Sequence, residues 1–240
     1  MDKIILEDSS CPICGNTDGD EIVSCEHGVV VECECGLMYA NKRIEMSRLI
    51  ELQELYMPSA FFSQEPHPFA RRFREAHEDL GFLEKHCDVG GLFDVCAGSG
   101  AFAKCANERG WDVAGNDLSV MCCVLARHVF NVNILRNDLT SLRFEPGGAD
   151  AVTLINALEH LRDPVKELGM LRDVLTDDGK VLIRVPMMTK ERVVERHQLP
   201  QHIYNFDRET LGVLLDVCGF RIIDERLDGG SIVVVGEKNG

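Results

Sequence analysis

The regular alternation of short apolar strands with helix patterns after Gly90 is the feature that most constrains the fold of this 240-residue chain. Strand-length apolar runs at 92–95 and 149–155 are separated by segments that begin at capping residues and end near glycines. Successive β-α units place their strands parallel and their helices on the faces of the sheet. The pattern therefore predicts a mostly parallel α/β sheet, closed by a hairpin at 220–226 and 231–235.

A glycine-rich turn, DVCAGSG at 94–100, follows the first of these strands. A Gly-x-Gly turn between a parallel strand and a helix lets a ligand approach the backbone, although any tight turn of this kind can use two glycines. Asp117 ends the second strand and Asp138 follows the third. With Asp94 they would lie side by side at the carboxyl edge, where open α/β sheets bind ligands. The alternative is that Asp117 and Asp138 only cap turns before helices.

Two cofactors fit such an edge. The stretch 98–103 satisfies the dinucleotide pattern if alanine replaces the third glycine, which would indicate a nicotinamide-dependent oxidoreductase. A pyrophosphate, however, gains nothing from the negative charge of Asp94 just before the loop. That charge favours the positive amine and sulfonium of S-adenosylmethionine.

The stretch from Leu92 to Gly236 resembles the class I S-adenosylmethionine-dependent methyltransferases in the order and spacing of six segments. These are DVCAGSGAF, GNDLS, NDLTSLRF, ADAVTLINALEHLRDP, LTDDGKVLIRVP and QHIYNFDRETLGVLLDVCGF. The resemblance implies a doubly wound, Rossmann-like sheet of seven mostly parallel strands with an antiparallel last strand. It also implies a set of cofactor-binding residues, namely Asp94, Ala97, Gly98, Gly100, Asp117, Leu118, Asp138, Leu139 and Asn156.

The loop departs from the family pattern at one position. Cys96 stands where the family usually has a further glycine, and its side chain either requires a different backbone conformation or weakens cofactor binding. Together with Asn156, this departure keeps a second hypothesis open, a catalytically silent S-adenosylmethionine-binding or scaffold protein.

Two histidines are the candidate catalytic residues. His160 follows the fourth strand in LEHL, and His202 precedes the last helix. Methyl transfer depends on alignment and exclusion of water, and a hydroxyl acceptor also benefits from a base that titrates near neutrality. The alternative is that each histidine only packs against its neighbours. Similar Glu-His segments in ubiquinone-type O-methyltransferases have a further glutamate that helps to hold a divalent cation; Asn156 occupies that position here, so no catalytic magnesium is expected.

Five of the 11 cysteines lie within the first 35 residues, and CPICG at 11–15 is followed by CEC at 33–35. Two cysteine pairs about 20 residues apart are typical of a structural zinc site, in which four protein ligands leave no open coordination position. Cys25 and His27 are alternatives to the irregular second pair. The segment resembles the N-terminal zinc ribbon of bacterial and archaeal methyltransferases, many of which act on sugars or other small metabolites. The predicted ligands are Cys11, Cys14, Cys33 and Cys35.

The chain carries 25 Lys and Arg against 40 Asp and Glu, a net charge of −15. So negative a surface repels phosphates, which disfavours long nucleic acids and anionic membranes as partners. The alternative is that the charge serves only solubility. The sequence shows neither a membrane-spanning apolar run nor a secretory signal at its start. We therefore expect a cytoplasmic methyltransferase that acts on oxygen or carbon of a small molecule.

Three segments differ in composition and in the elements that they predict, and these differences indicate the domain organisation. Residues 1–43 form the zinc-ribbon-like segment, and 44–88 form a helical linker or lid that is interrupted near 57–58 and 65–68. Residues 89–240 form the S-adenosylmethionine-binding domain.

Overall fold

The structure is a computed structural model that describes residues 5–25, 28–51, 54, 69–196 and 202–239. The predicted interruptions at 57–58 and 65–68 lie outside these residues. Within them, no helix is both long enough and apolar enough to cross a membrane.

Thirteen strands are assigned in the described residues. They are β1 (Leu6–Asp8), β2 (Asp20–Cys25), β3 (Gly28–Glu32), β4 (Met38–Ala40), β5 (Lys42–Ile44), β6 (Gly91–Val95), β7 (Asp112–Asp117), β8 (Ile134–Arg136), β9 (Ala149–Ile155), β10 (Leu175–Pro186), β11 (Tyr204–Asn205), β12 (Phe220–Asp228) and β13 (Ser231–Lys238).

The α-helices of the described residues lie between strands, from β5 to β12. They are α1 (Ala70–Leu83), α2 (Ala101–Glu108), α3 (Val120–Val129), α4 (Pro164–Val174), α5 (Lys190–Arg196) and α6 (Arg208–Val217). Residues 46–51 are also helical, and short 3-10 turns occupy Leu139–Ser141 and Leu158–His160.

Seven strands form the central sheet in the order β12-β13-β10-β9-β6-β7-β8. The strands from β10 to β8 in this order are parallel, whereas β13 is antiparallel to both of its neighbours. Side chains alternate between two cores: Val181 and Ile183 face α4 and α6, and Leu182 faces α1 and α2. The structure thus confirms the predicted doubly wound, seven-stranded sheet with an antiparallel last strand.

Local signals in the sequence account for several element boundaries. The side chains of Ser119, Asp163 and Asp207 accept hydrogen bonds from the first turns of α3, α4 and α6, as their capping positions predict. Gly229 and Gly230, at φ 56° and 89°, form the tight turn between β12 and β13. Strand β8 has only three residues, and the polar stretch after β10 contains α5.

The N-terminal residues contribute to two small sheets in addition to the central sheet. Strands β1 and β5 pair with each other, and a second sheet has the order β11-β4-β3-β2. Because β11 comes from late in the chain and pairs Tyr204 with Tyr39, the N-terminal sheet is completed by the domain that follows it. The predicted boundaries at 43 and 88 stay predictions.

A buried ion cluster ties α1 to the central sheet. The Arg184 guanidinium donates to both carboxylate oxygens of Asp79, with Nε to Oδ2 at 2.7 Å and Nη2 to Oδ1 at 2.9 Å. Arg226 also contacts Asp79, and Asp228 contacts Arg184 at 2.5 Å. Since Asp79 and Arg184 are almost completely buried, each charge depends on the other for compensation.

Replacing Asp79 by Ala should lower the free energy of unfolding by about 3–5 kcal/mol, because Arg184 would keep a buried charge without its main partner. The matched control is Glu108→Ala, which breaks an ion pair with Lys104 on the exposed face of α2. That control should cost less than about 1 kcal/mol. Urea unfolding of both variants measures the difference, and equal losses would contradict this account of the cluster.

Candidate functional site

The carboxyl ends of four neighbouring parallel strands meet at one edge of the central sheet. In the sheet these strands lie in the order β9-β6-β7-β8. The residues at or after each strand end therefore share that edge, which we call the carboxylate edge: Asn156, the loop 94–100, Asp117 and Asp138. The structure brings together the segments that the sequence assigned to the cofactor.

The glycine loop between β6 and α2 makes a tight turn. Gly98 and Gly100 have φ of 55° and 78°, and Gly100 donates its N–H to the carbonyl of Ala97 at 3.0 Å. A Cβ added at Gly100 would lie 2.8 Å from the Cβ of Ala126 in α3, whereas one at Gly98 would meet open space. Gly100 is thus required by close packing, and Gly98 leaves the loop backbone open to a ligand.

Cys96 takes the left-handed backbone conformation of a glycine, with φ 51°. Such a conformation costs an L-residue about 1–2 kcal/mol relative to glycine. The loop nevertheless keeps this geometry with a cysteine, so the departure from the family pattern adds strain and leaves the turn intact.

Asp117 connects the glycine loop to the start of α3. Its Oδ2 accepts the N–H of Gly98 and its Oδ1 accepts the N–H of Ser119, both at 2.8 Å. Burial raises the pKa of this carboxyl against the lowering effect of these bonds, and the nearby Glu54 carboxylate raises it further. The aspartate therefore fixes the loop, as the capping alternative expects, and it does so at the carboxylate edge. Leu118 follows it directly.

Asp94 is a buried carboxylate with one unsatisfied oxygen. Its Oδ1 accepts the hydroxyl of Thr153 at 2.6 Å, and its Oδ2 has no hydrogen-bond partner among the described residues. Burial raises the pKa of Asp94 to about 7, opposed by the Thr153 hydrogen bond. A buried, unpartnered carboxylate oxygen suits a cationic donor, which fits the amine of S-adenosylmethionine and does not fit a pyrophosphate.

Asp138 caps the 3-10 turn that follows β8. Its Oδ1 accepts the N–H of Thr140 at 2.8 Å, which agrees with the capping alternative. The side chain is partly exposed at the edge, whereas that of Leu139 is buried in the main apolar core.

Glu167 is a further carboxylate at this edge that the sequence analysis did not single out. It lies on α4, it is buried, and its Oε2 accepts the N–H of Asp163 at 3.0 Å. Burial, followed by the charges of Asp138 and Asp163, raises the pKa of Glu167 to about 7. Because Glu167 lies four residues after the helix cap Asp163, the sequence places it in a helix. No sequence pattern indicates which way its side chain points.

The pKa of the Cys96 thiol indicates that these acidic groups lie close together. Burial raises its pKa well above the usual range, and four carboxylates add to that effect. They are, in decreasing order of effect, Asp117, Glu167, Asp94 and Asp138. Four carboxyl groups therefore lie close to this thiol, and such an edge favours a positively charged ligand over an anionic one.

The two candidate catalytic histidines lie against each other. His160 ends the 3-10 turn after β9, and its ring centroid is 4.8 Å from that of His202 in an edge-to-face arrangement. The N–H of Ile203 donates to the carbonyl of Glu159 at 2.9 Å, which holds the two segments together. The Glu159 carboxylate is buried beside them, 3.9 Å from Nε2 of His160.

Four thiols cluster in the N-terminal segment. The Sγ atoms of Cys11, Cys14, Cys33 and Cys35 all lie within 4.8 Å of one another, with 3.4 Å between Cys11 and Cys35 and 3.3 Å between Cys14 and Cys33. A tetrahedral zinc site with Zn–S bonds of about 2.3 Å places its sulfurs about 3.8 Å apart. The cluster fits a structural zinc ion, and His27, one alternative ligand, lies outside the described residues.

A family model described as a methyltransferase domain matches residues 69–225. No curated protein matches the chain. Among solved structures, the 1,6-didemethyltoxoflavin-N1-methyltransferase of Burkholderia thailandensis, with bound 1,6-didemethyltoxoflavin and S-adenosylhomocysteine, has a TM-score of 0.64 at 16% identity. That comparison covers 91% of this chain and 98% of the other.

Two further solved structures share the fold. The magnesium protoporphyrin IX methyltransferase of Synechocystis PCC 6803, with bound S-adenosylhomocysteine, has a TM-score of 0.65 at 13% identity, over 81% of this chain and 100% of that one. A Pyrococcus horikoshii OT3 protein has a TM-score of 0.61 at 19% identity, over 77% and 98%.

The family match covers more than half of the chain, and it includes the glycine loop and the strand ends that form the carboxylate edge. The seven-stranded sheet with its antiparallel β13 has the architecture that this family requires. The chain therefore belongs to the class I S-adenosylmethionine-dependent methyltransferases and is an enzyme of that class.

Proposed function

We propose that the enzyme transfers the methyl group of S-adenosylmethionine to oxygen or carbon of a small molecule, such as a sugar or another metabolite. The observation that carries this proposal is the contact of His202 with His160, which lies in the turn after β9, the strand next to β6 at the carboxylate edge. The Burkholderia and Synechocystis proteins are methyltransferases of small molecules, which supports a small-molecule acceptor. The net charge of −15 disfavours long nucleic acids as substrates and anionic membranes as partners.

Different residues of the carboxylate edge would contact different parts of the cofactor. Asp117, with Leu118 beside it, would hold the ribose, and Asp138 with Leu139 the adenine. Asp94, Gly98 and Gly100 would lie around the methionine part, and Ala97 and Asn156 would also face the cofactor. When bound, S-adenosylmethionine supplies a sulfonium-activated methyl group for in-line displacement by the acceptor.

His160 and His202 would contact the acceptor and promote loss of its proton. Both are partly exposed, as residues that meet a substrate must be, and Glu159 supports them from the buried side. A hydroxyl acceptor gains most from such groups, because it must lose its proton as the new bond to carbon forms.

The four thiolates of the N-terminal segment would hold a zinc ion with a structural role. Two cysteines of the set are buried, and four closed ligands leave no position for water. A cytoplasmic location, where such thiols stay reduced, remains our expectation.

A direct test of the activity is transfer of label from methyl-labelled S-adenosylmethionine into a metabolite extract that has been separated by size. We expect label in the small-molecule fraction with the wild type and at least tenfold less with a His160→Gln, His202→Gln double variant. Label confined to protein or nucleic acid would refute a small-molecule acceptor.

Replacing Asp117 by Asn should weaken binding of S-adenosylhomocysteine about 100-fold, because two charge-assisted hydrogen bonds to the ribose, together worth about 3 kcal/mol, would be lost. Asp112→Asn is the matched control: it removes the same charge at the opposite, exposed end of β7. Calorimetric titration measures both, with unfolding curves to correct for any loss of stability. Unchanged affinity in Asp117→Asn would contradict the ribose assignment.

Binding of S-adenosylhomocysteine should weaken as the pH falls below about 7. The pKa of Asp94 is raised to about 7 by burial, and a bound cationic amine would lower it, so binding requires loss of this proton. The affinity should therefore be constant above that pKa and should decline toward tenfold per pH unit below it.

The variant Asp94→Asn separates this carboxyl from others that titrate in the same range. It should bind more weakly and should lack most of the pH dependence, whereas Glu167→Gln, which removes another carboxyl of raised pKa, should retain the contribution of Asp94. Full pH dependence in Asp94→Asn would overturn the assignment.

A further inference from the structure

We propose that Glu159, His160 and His202 bind a divalent transition-metal ion on the acceptor side of the active site. This rests on the proposed function, in which the two histidines act on the acceptor, and it specifies how they act. The ion is distinct from the structural zinc that would be bound by the four cysteines.

The geometry of the three side chains supports a shared ligand. Each of them offers one ligand atom, and these atoms all lie within 4.8 Å of one another. The residues come from two separate segments, the 3-10 turn after β9 and the stretch before β11, which are joined by the hydrogen bond from Ile203 to Glu159. The fold therefore brings the donors together from positions about 40 residues apart in the sequence.

The Glu159 carboxylate provides an independent indication that this site binds a cation. It is 2% exposed, and neither of its oxygens has a hydrogen-bond partner among the described residues. Its neighbours Ala157, Leu158 and Leu161 are buried apolar residues, so an unpaired ionised carboxylate there is costly. The 3.9 Å from Glu159 to Nε2 of His160 is too long for a hydrogen bond, whereas a metal bound by the three side chains would satisfy the carboxylate.

The donor set indicates the kind of metal. Two imidazoles and one carboxylate suit zinc, manganese, iron or cobalt, whereas magnesium and calcium prefer sites made of oxygen ligands. This agrees with the absence of a second carboxylate at Asn156. Three protein ligands also leave a coordination position open, as in catalytic rather than structural sites.

An acceptor hydroxyl at the open position would be acidified by the metal. Its proton would leave to solvent, and the oxygen would remain bound as an alkoxide. Formation of the O–CH3 bond then breaks the S–CH3 bond, and the bonding pair returns to sulfur to give neutral S-adenosylhomocysteine. In this scheme the histidines act through the ion and do not themselves accept the proton.

The test is a titration of the full-length, metal-stripped chain with cobalt(II), followed by absorbance and equilibrium binding. We expect two equivalents per chain in the wild type, of which only the one at the cysteines gives thiolate-to-cobalt charge-transfer absorption. Glu159→Gln and His202→Gln should each lose the second equivalent and keep the thiolate band. His128→Gln, which changes an exposed histidine on α3, should retain both.

Several outcomes would overturn the proposal. One equivalent in the wild type would do so, as would two equivalents in both Glu159→Gln and His202→Gln. The thiolate band shows in every variant that the N-terminal segment has folded, so that loss of the second ion is not mistaken for unfolding.

The titration contains neither S-adenosylmethionine nor an acceptor, so its result does not depend on the proposed function. Binding of the second ion without methyl transfer to any small molecule would refute the proposed function, whereas the proposed metal site would still stand. Methyl transfer at the wild-type rate by a chain that carries only the cysteine-bound ion would show that the histidines act directly, and it would overturn the catalytic role of the metal.

Discussion

The close placement of four carboxyl groups at one edge of the sheet is the constraint on which the proposed cofactor site depends. Asp94, Asp117, Asp138 and Glu167 all raise the pKa of the Cys96 thiol that lies between them. Parallel strands end at a common edge, so the fold itself forces these acidic groups together. Burial, more than repulsion between the charges, raises the pKa values of Asp94 and Glu167 to about 7, so both carboxyl groups hold a proton more readily than exposed ones do. A cationic ligand would stabilise the ionised carboxylates, and for this reason the edge suits the sulfonium and the amine of the cofactor that we propose it binds.

The N-terminal sheet extends this organisation to the acceptor side. Strand β4 pairs with β11, and the N–H of Ala40 donates to the carbonyl of Ile203, whose own N–H donates to Glu159. A continuous series of backbone hydrogen bonds thus runs from the sheet beside the cysteine cluster to the turn that carries His160. The N-terminal segment therefore supports the active site as well as its own fold.

Sequence reasoning predicted the features that local patterns determine. Strand periodicity, helix caps such as Ser119 and the glycine pair at 229–230 specify their elements within a few residues, and the end-of-strand rule then places Asp117 at the ligand edge. Features that depend on contacts distant in sequence were not predicted. The pairing of β11 with β4, the direction of Glu167 and the ion pair of Asp79 with Arg184 each join segments whose proximity no local pattern encodes.

Backbone strain at the active site is supported by the buried ion cluster behind it. Cys96 and Asn156, at the ends of adjacent strands β6 and β9, both have φ of 51°, which is unfavourable for residues other than glycine. The N–H of Asn156 donates to the carbonyl of Arg184 at 2.8 Å, and the Arg184 side chain is anchored to Asp79 on α1. A strained turn persists only where its surroundings hold it in place. The ion cluster thereby helps to fix the turn that begins at Asn156, where the proposed cofactor and acceptor would meet.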